Sequence, residues 1–398
     1  MNIKQELTPA VILDITYSGY GVLRSLYPYN IPLYGFTFDA KHVEVKTKFA
    51  TKVIVYKNNG KDLKEKLIAL SKTLNTKPVL ILTNDEKVQF VVDHLTELRS
   101  YYIINMPDKP LTDQLIDKIQ LKPLIEDLNI LAPKTLNIES ANDYQRVKEL
   151  QFPVIVKPFL KSEKWYEAGF HKAIIFNSVE ELDAMFLRLI QAESKLLIQE
   201  FIPGGDDHIY FCLTYYDFNH NCKAIFTGQK IRQWNPLTGS TASAKCAIEP
   251  IIEKETKRIF DHVKFQGIGS VEFKKHARTG EFYLVEPTVG RVNLQEYLAT
   301  AAGTNIPLVA YCDMTGLPIK AKEKQTNNAI YFDELNEILS VSEYQNRNEL
   351  TLSEWLQSVK GKKSYRYLFT TDWPIVMKMS LFVARRVFGI IYRSIKRH

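Results

Sequence analysis

The amino-acid sequence predicts an α/β fold with a parallel sheet in its first part, followed by a mixed region of strands and helices. Up to residue 90, short apolar segments alternate with helix-like segments, and this alternation is typical of a parallel, doubly wound sheet. From residue 150 onward, apolar strand segments follow one another through glycine turns. The segment 375–398 has the periodicity of one amphipathic helix, so the chain is predicted to end in a helix.

Four strands and two helices are predicted in the first part of the chain. The apolar strand segments are 9–15, 31–39, 52–56 and 78–83, and the helix-like segments are 22–27 and 61–74. A glycine turn from Ser18 to Gly21 follows the first strand. It is a weak signal for a dinucleotide because the full G-x-G-x-x-G pattern is lacking, so an ordinary tight turn is favoured.

The second part begins after the proline-rich, charged segment 106–110. Ser178, with Glu181 three residues later, is predicted to cap a helix. The predicted helices are 111–130, 177–189 and 251–263, and the predicted strands are 152–158, 196–207, 208–216, 223–230 and the hairpin 269–291.

The composition is that of an ordinary globular protein. The chain has 398 residues, enough for two or three domains, and is 45% hydrophobic and 24% charged. Its four cysteines show neither a C-x-x-C pair nor zinc spacing, and the N-terminus has no apolar signal segment. Since no apolar run is long enough to cross a bilayer, we expect a cytoplasmic protein with reduced cysteines.

The net charge of +7 is concentrated at the C-terminus. Six basic residues and no acidic residue lie between Trp373 and His398, which leaves 46 basic against 45 acidic residues in the rest of the chain. Because the main body is close to neutral, nucleic-acid binding is not indicated.

Two glutamates, Glu272 and Glu286, are the most informative residues of the chain. A three-residue loop from Arg278 to Gly280 is a favoured hairpin connection, because glycine accepts the left-handed conformation. With that loop as the turn, Glu272 lies opposite Glu286. Like charges in this position destabilise a sheet, and the usual reason to keep them is a hard cation held by their oxygens. The alternative is a different register with both glutamates on the solvated surface.

The order of several motifs resembles the ATP-grasp superfamily, and within it the carboxylate–amine ligase branch (D-aspartate ligase-like). The motifs are P-V-I-V-K-P at 153–158, Q-E-F-I at 199–202, Asp207, and the two hairpin glutamates. The resemblance covers residues 9–320. It implies three parts: a Rossmann-like pre-ATP-grasp domain at 1–110, an ATP-grasp domain at 111–320 with two α+β lobes (111–195 and 196–320), and a C-terminal extension at 321–398.

Two lysines are candidates for binding the phosphates of ATP. Lys157 ends an apolar strand, where its charge can project into a cleft, although a solvated strand-end lysine is the alternative. The resemblance implies that Lys157 contacts the nucleotide phosphates. It also aligns Lys118, in L-I-D-K, with an earlier phosphate lysine of the family, whereas by itself Lys118 would be an ordinary surface lysine.

The loop 159–172 takes the place of the family's phosphate-covering loop but departs from its glycine-rich pattern. Gly169 is its only glycine, and backbone amides that surround phosphate need glycine. A lysine is therefore expected to contribute instead, with Lys172 as the candidate. Trp165 is expected either to cover the site or to pack in the core. The alternative lysines are Lys161 and Lys164.

The segment after the second glycine turn resembles the part of the family that binds adenosine. The resemblance implies that backbone groups near Phe201 and Ile202 read the adenine edge, while Glu200 accepts from its exocyclic amine. Asp207 stands at the position of the ribose-binding carboxylate, and a carboxylate can accept from both ribose hydroxyls. The alternative is that Asp206 and Asp207 are turn-favouring residues.

Glu272 and Glu286 stand where the family has its magnesium carboxylates. The resemblance implies two Mg²⁺ ions carried with ATP, with Mn²⁺ as an alternative metal. Thr288 replaces the usual asparagine, so the third protein ligand is either Thr288 or Asn293. Arg291 is displaced by one position from the family's arginine, and we expect its guanidinium to contact the transferred phosphate.

Lys230 and Arg232 are predicted to share one face of a strand, because they are two residues apart. They precede a loop rich in proline, glycine and serine. This arrangement suits an anionic substrate or the γ-phosphate, and both residues are therefore candidates for catalysis. The alternative is an exposed basic strand face.

The resemblance implies an ATP-dependent ligase that acts on small-molecule carboxylate and amine substrates. The carboxylate is phosphorylated to an acyl phosphate, and the amine then displaces phosphate to form an amide. Positioning and electrostatics would do most of this chemistry. The alternatives are another ATP-grasp chemistry, either carboxylation or phosphotransfer, and a non-catalytic nucleotide-binding protein. The sequence does not indicate an oligomeric state.

The C-terminal helix 375–398 is predicted to carry basic side chains on one face and apolar side chains on the other. Such a helix suits an anionic membrane surface, which would make the protein peripheral at the inner face of the membrane. The alternative is that the apolar face packs on the protein's own core. The predicted apolar face comprises Leu381, Val383, Val387, Phe388, Ile390, Ile391 and Ile395.

Overall fold

A computed structural model describes residues 6–158, 163–171, 173–319, 325–326 and 328–397 of the chain. The strands are β1 (Ala10–Leu13), β2 (Leu33–Thr37), β3 (Lys52–Val55), β4 (Val79–Leu82), β5 (Thr135–Ile138), β6 (Val154–Pro158), β7 (Ile174–Phe176), β8 (Leu196–Glu200), β9 (Ile209–Tyr216), β10 (Cys222–Trp234), β11 (Ser240–Cys246), β12 (Gly267–Lys275), β13 (Phe282–Val289), β14 (Ala329–Phe332) and β15 (Lys362–Tyr365).

The helices surround three sheets built from these strands. They are α1 (Ser18–Leu26), α2 (Gly60–Lys72), α3 (Asp85–Asp93), α4 (Leu95–Leu98), α5 (Lys109–Ile116), α6 (Lys118–Asp127), α7 (Ala141–Gln145), α8 (Glu163–Glu167), α9 (Val179–Ala192), α10 (Pro250–His262), α11 (Glu296–Ala301), α12 (Ile306–Thr315), α13 (Glu334–Asn346), α14 (Leu352–Ser358) and α15 (Trp373–Arg397).

The first sheet is parallel and has the strand order β3-β2-β1-β4, which confirms the predicted α/β class. The predicted glycine turn is wrong in one respect, because α1 already begins at Ser18 and includes both glycines. Gly19 is needed for packing, since a Cβ atom there would lie 2.0 Å from the Asp14 carbonyl oxygen. The close approach of α1 to the end of β1 therefore explains this glycine.

The second sheet belongs to a small lobe and has the strand order β5-β8-β6-β7, with every pair antiparallel. Helix α9 begins at the predicted cap, where the side chain of Ser178 accepts from the Glu181 amide. The predicted single helix at 111–130 is wrong, because it is divided into α5 and α6 at Asp117. The Asp117 side chain caps α6 and so places Lys118 in its first turn.

The third sheet has seven strands in the order β13-β12-β9-β10-β11-β14-β15. Its pairs are antiparallel except for β14 and β15, which are parallel. The predicted domain boundary at 320 stays a prediction, and β14 and β15 beyond it continue the same sheet.

The hairpin of β12 and β13 confirms the predicted register, since Glu272 lies opposite Glu286. The predicted three-residue loop is wrong. His276 donates its backbone amide to the Glu281 carbonyl at 2.8 Å, which leaves four residues in the loop. An irregularity between Glu272 and Phe273 shifts the register by one and compensates for the longer loop.

The C-terminal helix α15 packs by its first two turns on the N-terminal part of the chain. Ile375 and Met379 are buried in the core formed by β1, β2 and α1. The buried carboxylate of Asp372 accepts from the Tyr20 hydroxyl at 3.2 Å and the Thr47 hydroxyl at 2.5 Å, which fixes the start of the helix. This part of α15 therefore packs on the protein's own core through residues outside the predicted apolar face, and the docking of that face stays a prediction.

Another face of α15 is exposed, including Trp373 (66%), Met377 (70%) and Leu381 (56%). Side chains from Val387 onward lie outside the described residues, so most of the predicted apolar face does too. Among the described helices, none combines the length and the apolar character that crossing a membrane requires. The membrane contact of α15 stays a prediction.

Candidate active site

Two adjoining clefts meet at the pair of opposed glutamates. The first, which we call the lobe cleft, has a volume of about 510 Å³ and lies between the small lobe and the seven-stranded sheet. The second, the domain cleft, has a volume of about 690 Å³ and lies between that sheet and the parallel sheet. Glu272, Glu286 and Thr288 line both clefts, so a molecule in either one would contact the same residues.

Lys230 lies beside the glutamates, as its predicted role in the cleft requires. Its ammonium group contacts Glu272 Oε2 at 3.0 Å and donates to Gln233 Oε1 at 3.2 Å. Both Lys230 and Glu272 are largely buried, so their charges are screened little by water. The positive charge of Lys230 therefore offsets the negative charge of Glu272, so that another negatively charged group can approach Glu272.

The lobe cleft has a basic and an apolar wall. Lys157 lines it from β6 and Lys118 from the start of α6. The Lys157 ammonium lies 3.5 Å from Gln199 Oε1. Ile155 shares a face of β6 with Lys157, because the two residues are two apart on a strand. Ile155 and Leu197 form an apolar wall next to the two lysines.

The predicted adenine-binding residues lie at the end of β8. The Glu200 carboxylate accepts from the Gln151 backbone amide at 2.9 Å, and the Phe201 amide donates to the Pro153 carbonyl at 2.9 Å. Ile202 follows and is nearly buried. Glu200 and Phe201 thus hold β8 against the start of β6, and their predicted contacts with adenine stay predictions.

Asp206 and Asp207 are adjacent but have different surroundings. Asp206 is buried and accepts from the backbone amides of Gln233 and Leu237 at 2.7 and 2.8 Å and from the Tyr344 hydroxyl at 2.7 Å. The Asp207 side chain is 64% exposed and contacts His208 at 2.9 Å. Asp206 is therefore a structural residue, and Asp207 has the exposure that a ribose-binding carboxylate needs.

Arg291, Asn293 and Thr288 follow the second glutamate at the end of β13. Arg291 forms an ion pair with Asp85 and donates to Asn293 Oδ1 at 2.8 Å. Asn293 in turn donates to the Ser270 hydroxyl. The Asn293 oxygen already accepts from Arg291, while Thr288 lines both clefts, and the choice between the two as third metal ligand stays a prediction.

Arg232 does not share the cleft-facing side of β10 with Lys230, so the prediction that the two lie on one face is wrong. An irregularity between them shifts the pairing of β10 with β11. Arg232 is buried and donates through Nε to Glu337 Oε1 at 2.7 Å and through Nη1 to the Ser358 hydroxyl at 2.7 Å. Its partners belong to α13 and α14, so its charge is engaged within the core, and its predicted catalytic role stays a prediction.

The phosphate-covering loop is described only in part. Lys172 and Lys161 lie outside the described residues, so the prediction for Lys172 stays untested. Trp165 is buried in the small-lobe core, with its ring 4.7 Å from that of Phe170. Its indole donates to the His171 carbonyl at 2.6 Å. Of its two predicted roles, core packing is the correct one.

Lys274 is a buried cation of the site region that was not predicted from the sequence. It lies two residues after Glu272 on β12, and its ammonium is 3.8 Å from the centre of the Phe201 ring. The pKa of Lys274 is lowered to about 8, mainly by burial; the nearby charge of Lys230 acts in the same direction, while Asp206 and Asp207 act in the opposite direction. The same-face spacing from Glu272 could have indicated this residue.

We expect Lys274→Met to stabilise the protein without nucleotide by about 1–3 kcal/mol at pH 7, since a desolvated charge is removed. The pKa of Lys274 falls from 10.5 to about 8 on folding, so the penalty is complete below pH 8 and disappears as the pH rises toward 10.5. Chemical denaturation at pH 7 and pH 10 would measure this difference. The matched control is Lys275→Met on the opposite face of the strand. A less stable Lys274→Met protein at pH 7 would contradict the expectation.

The domain cleft is walled on its other side by the carboxyl ends of β1 and β4. Asp14, Thr83 and Asn84 line it there. The Asp14 carboxylate accepts from Thr16 at 2.7 Å and from the Asn84 side chain at 2.5 Å. Ligands of parallel sheets bind at this edge, so the domain cleft is a candidate substrate site.

Comparison with known proteins finds a similar curated sequence, while no family model matches the chain. The chain is 25% identical over 242 residues to D-aspartate ligase from Enterococcus faecium (strain Aus0004). The matched region is 58% of this chain and 57% of that ligase, so the chain spans little more than half the length of its curated relative.

Solved structures with low sequence identity have a similar fold. N5-carboxyaminoimidazole synthetase from Staphylococcus aureus, complexed with ADP, has a TM-score of 0.62 at 13% identity, covering 86% of this chain and 88% of its own. The biotin carboxylase domain of 2-oxoglutarate carboxylase from Hydrogenobacter thermophilus, in complex with MgADP and bicarbonate, has a TM-score of 0.59 at 14% identity, covering 80% and 73%. The chain therefore has the fold of these ATP-grasp neighbours, as the sequence predicted, and over part of its length it is similar in sequence to D-aspartate ligase.

Proposed function

We propose that this protein is an ADP-forming ligase that joins a carboxylate to an amine through an acyl phosphate. The observation that carries the proposal is the position of Glu272 and Glu286 where the lobe cleft and the domain cleft meet. A nucleotide in the first cleft and a carboxylate in the second would have their reacting groups at the same pair of glutamates.

ATP fits the lobe cleft by the chemistry of its walls. Ile155 and Leu197 provide apolar surface for the base, and Lys118 and Lys157 provide charge for the phosphates. Asp207, near the end of β8, would accept from the ribose hydroxyls. Lys274 lies among Phe201, Asp207 and Lys230, where its positive charge favours the same nucleotide.

The residues present fit magnesium bound together with ATP. The described residues contain no group of three or more acidic, histidine or cysteine side chains that could hold a metal by itself. This agrees with Mg²⁺, which is usually bound by one or two carboxylates together with the phosphates of its nucleotide. Glu272 and Glu286 would hold it, with Thr288 as the third protein ligand. The metal would neutralise phosphate charge during transfer.

The basic side chains around the glutamates would position the reacting phosphate. Lys230 and Arg291 both line the two clefts, so they can contact a group that passes from one to the other. The substrate carboxylate would take up the γ-phosphoryl group and release ADP. An amine would then attack the acyl phosphate, lose a proton and release phosphate. Closing of the small lobe would keep water from the acyl phosphate.

A second candidate function is carboxylation, in which bicarbonate takes the place of the substrate carboxylate. The similarity of fold to N5-carboxyaminoimidazole synthetase and to a biotin carboxylase domain supports carboxylation as this second candidate. The two functions differ in one requirement, because ADP release in a carboxylase depends on bicarbonate. A nucleotide-binding protein without activity would release no ADP with any substrate.

An ADP-release screen tests these proposals. Carboxylates, with D-aspartate among the first because of the similarity to D-aspartate ligase, are paired with amino acids, amino sugars and amines. We expect ADP release to need one carboxylate and one amine together, in bicarbonate-free buffer. Release that needs bicarbonate and no other carboxylate would support carboxylation and contradict the ligase proposal.

A further inference from the structure

A third cavity opens beside the domain cleft, and the proposed reaction does not use it. It has a volume of about 460 Å³ and lies between the N-terminal part of the chain and helix α15. Tyr17 and His42 line both this cavity and the domain cleft, so the two spaces adjoin. We call it the Arg366 pocket, after the buried arginine in its wall.

The charge of the Arg366 pocket is predominantly positive. Its cationic lining residues are Lys41, Arg366, Lys378 and Arg385, and His42 stands among them. One carboxylate, Glu44, is also in the wall. Glu44 already accepts from the Tyr367 hydroxyl at 2.5 Å, and its other oxygen lies 3.8 Å from His42 Nδ1. The excess of cations favours a negatively charged ligand.

Arg366 has one edge of its guanidinium engaged and another edge without a partner. Its Nη1 donates to the buried carboxylate of Asp333 at 2.6 Å. Within the described part of the chain, its Nε and Nη2 atoms have no hydrogen-bond partner, although both are buried. These two nitrogens point their hydrogens in parallel and form the pair that binds a carboxylate or phosphate with two hydrogen bonds.

Aromatic rings hold the guanidinium of Arg366 in place. Its central carbon lies 3.8 Å from the centre of the Tyr17 ring and 4.6 Å from that of Tyr367. Tyr17 has a positive φ of 48°, which is a strained conformation for a side chain of this size, and it is largely exposed. The contacts with the two rings therefore restrict the Arg366 guanidinium. The exposed Tyr17 ring, which also lines the domain cleft, covers it.

The other wall of the pocket is apolar and belongs to α15. Met379, Leu381 and Phe382 line it, next to the two cations Lys378 and Arg385 of the same helix. Leu381 and Phe382 are also exposed on the outer surface. A ligand that places an anionic oxygen group on Arg366 would thus have an apolar surface beside that group.

We infer that the Arg366 pocket binds a phosphate or second carboxylate group of the substrate whose reacting carboxylate lies in the domain cleft, and that this group is joined to an apolar part of the same molecule. The role as a substrate subsite rests on the proposed ligase function, because that function assigns the adjoining domain cleft to the carboxylate substrate. The anion site itself depends only on the pocket, its charge and the unpartnered edge of Arg366.

Binding of small probes to the full chain tests this inference. The probes are inorganic phosphate, hexyl phosphate, hexanoate and hexanol, measured by isothermal titration calorimetry with saturating MgADP present to occupy the lobe cleft. We expect hexyl phosphate or hexanoate to bind at least tenfold more tightly than hexanol and inorganic phosphate. The tighter of the two anions identifies the oxygen group that the pocket prefers. Equal binding of hexanol and both anionic probes would overturn the inference.

Two variants separate the pocket from other anion sites. Arg366→Lys keeps a charge next to Asp333 but removes the paired nitrogens, and Lys41→Gln with Arg385→Gln changes only exposed residues of the lining. Each should weaken binding of the preferred anion about tenfold or more, whereas Lys363→Gln on exposed β15 should leave it unchanged. If Arg366→Lys does not fold, the double variant still decides the matter. Unchanged binding in the double variant would overturn the inference, whatever the ADP-release screen finds about the ligase function.

Discussion

Replacing Glu286 with glutamine should reduce ADP formation by about 10³-fold or more while the fold stays intact. Glutamine keeps the size and shape of the side chain but removes the negative charge opposite Glu272. Without that charge, the proposed site would lose one of its two carboxylate ligands for Mg²⁺, and the transferred phosphoryl group would lose its positioning.

The measurement compares ADP release, thermal unfolding and metal binding in the same protein preparations. We expect the melting temperature of Glu286→Gln to stay within about 2 °C of the unmodified protein, because no packing contact is lost. Binding of Mn²⁺ in the presence of ADP, followed by electron paramagnetic resonance, should weaken in parallel with activity. The matched control, Glu281→Gln, changes an exposed glutamate of the same hairpin and should keep full activity.

Normal turnover in Glu286→Gln would contradict the metal assignment, and the two glutamates would then be an unexplained like-charge pair. A variant that lost activity and also unfolded would not support the assignment either, since the loss would follow from instability. Retained folding with lost Mn²⁺ binding is the combination that the proposal requires.

The position of the glutamate pair was predictable from the sequence, although the details of its hairpin were not. The predicted three-residue loop required Glu272 to lie opposite Glu286, and the structure places them opposite each other. The loop has four residues, and an irregularity in the strand pairing restores the register. Such irregularities depend on how the strand packs against its other neighbour, which a local pattern does not contain.

The rule that residues two apart on a strand face the same side fails on β10 but holds on β12. On β10, one irregularity separates Lys230 from Arg232, so a cation predicted for the cleft lies in the core. On β12, the pairing with β9 is regular from Gly267 to Lys274, so the two-residue spacing that places Glu272 in the cleft region also applies to Lys274. The position of Arg232 could be corrected only from the structure, whereas the position of Lys274 could have been predicted from the sequence.

Burial separates neighbours that look equivalent in the sequence. Asp206 and Asp207 have the same chemistry, but only Asp206 has the amides of β10 and the Tyr344 hydroxyl as partners. Those partners come from segments far along the chain, 27 and 138 residues away. Long-range contacts of this kind decide which carboxylate is structural, and residue type and spacing do not reveal them.

Lys230 and Arg232 should respond in opposite ways to removal of their charges. Arg232→Ala leaves the carboxylate of Glu337 buried without its cation, which should destabilise the protein by about 3–5 kcal/mol. Lys230→Met should destabilise the protein less, because its partner Glu272 is 14% exposed and lines both clefts whereas Glu337 is fully buried, and it should lower turnover about 10²-fold or more. Urea denaturation gives the first quantity, and ADP release per folded protein gives the second.

A second substitution distinguishes a structural Arg232 from a catalytic one. Replacing the whole buried pair, with Arg232→Met and Glu337→Leu, removes both charges together and should recover most of the lost stability. If Arg232 is purely structural, this double variant should also recover ADP release to within about threefold of the unmodified protein. The reason is that Arg232→Ala would then lower activity only by lowering the amount of folded protein. A stable double variant without activity would instead return Arg232 to the catalytic site. Because Lys230→Met lacks a cleft charge that no stabilising change can replace, its activity should not recover in a stabilised background.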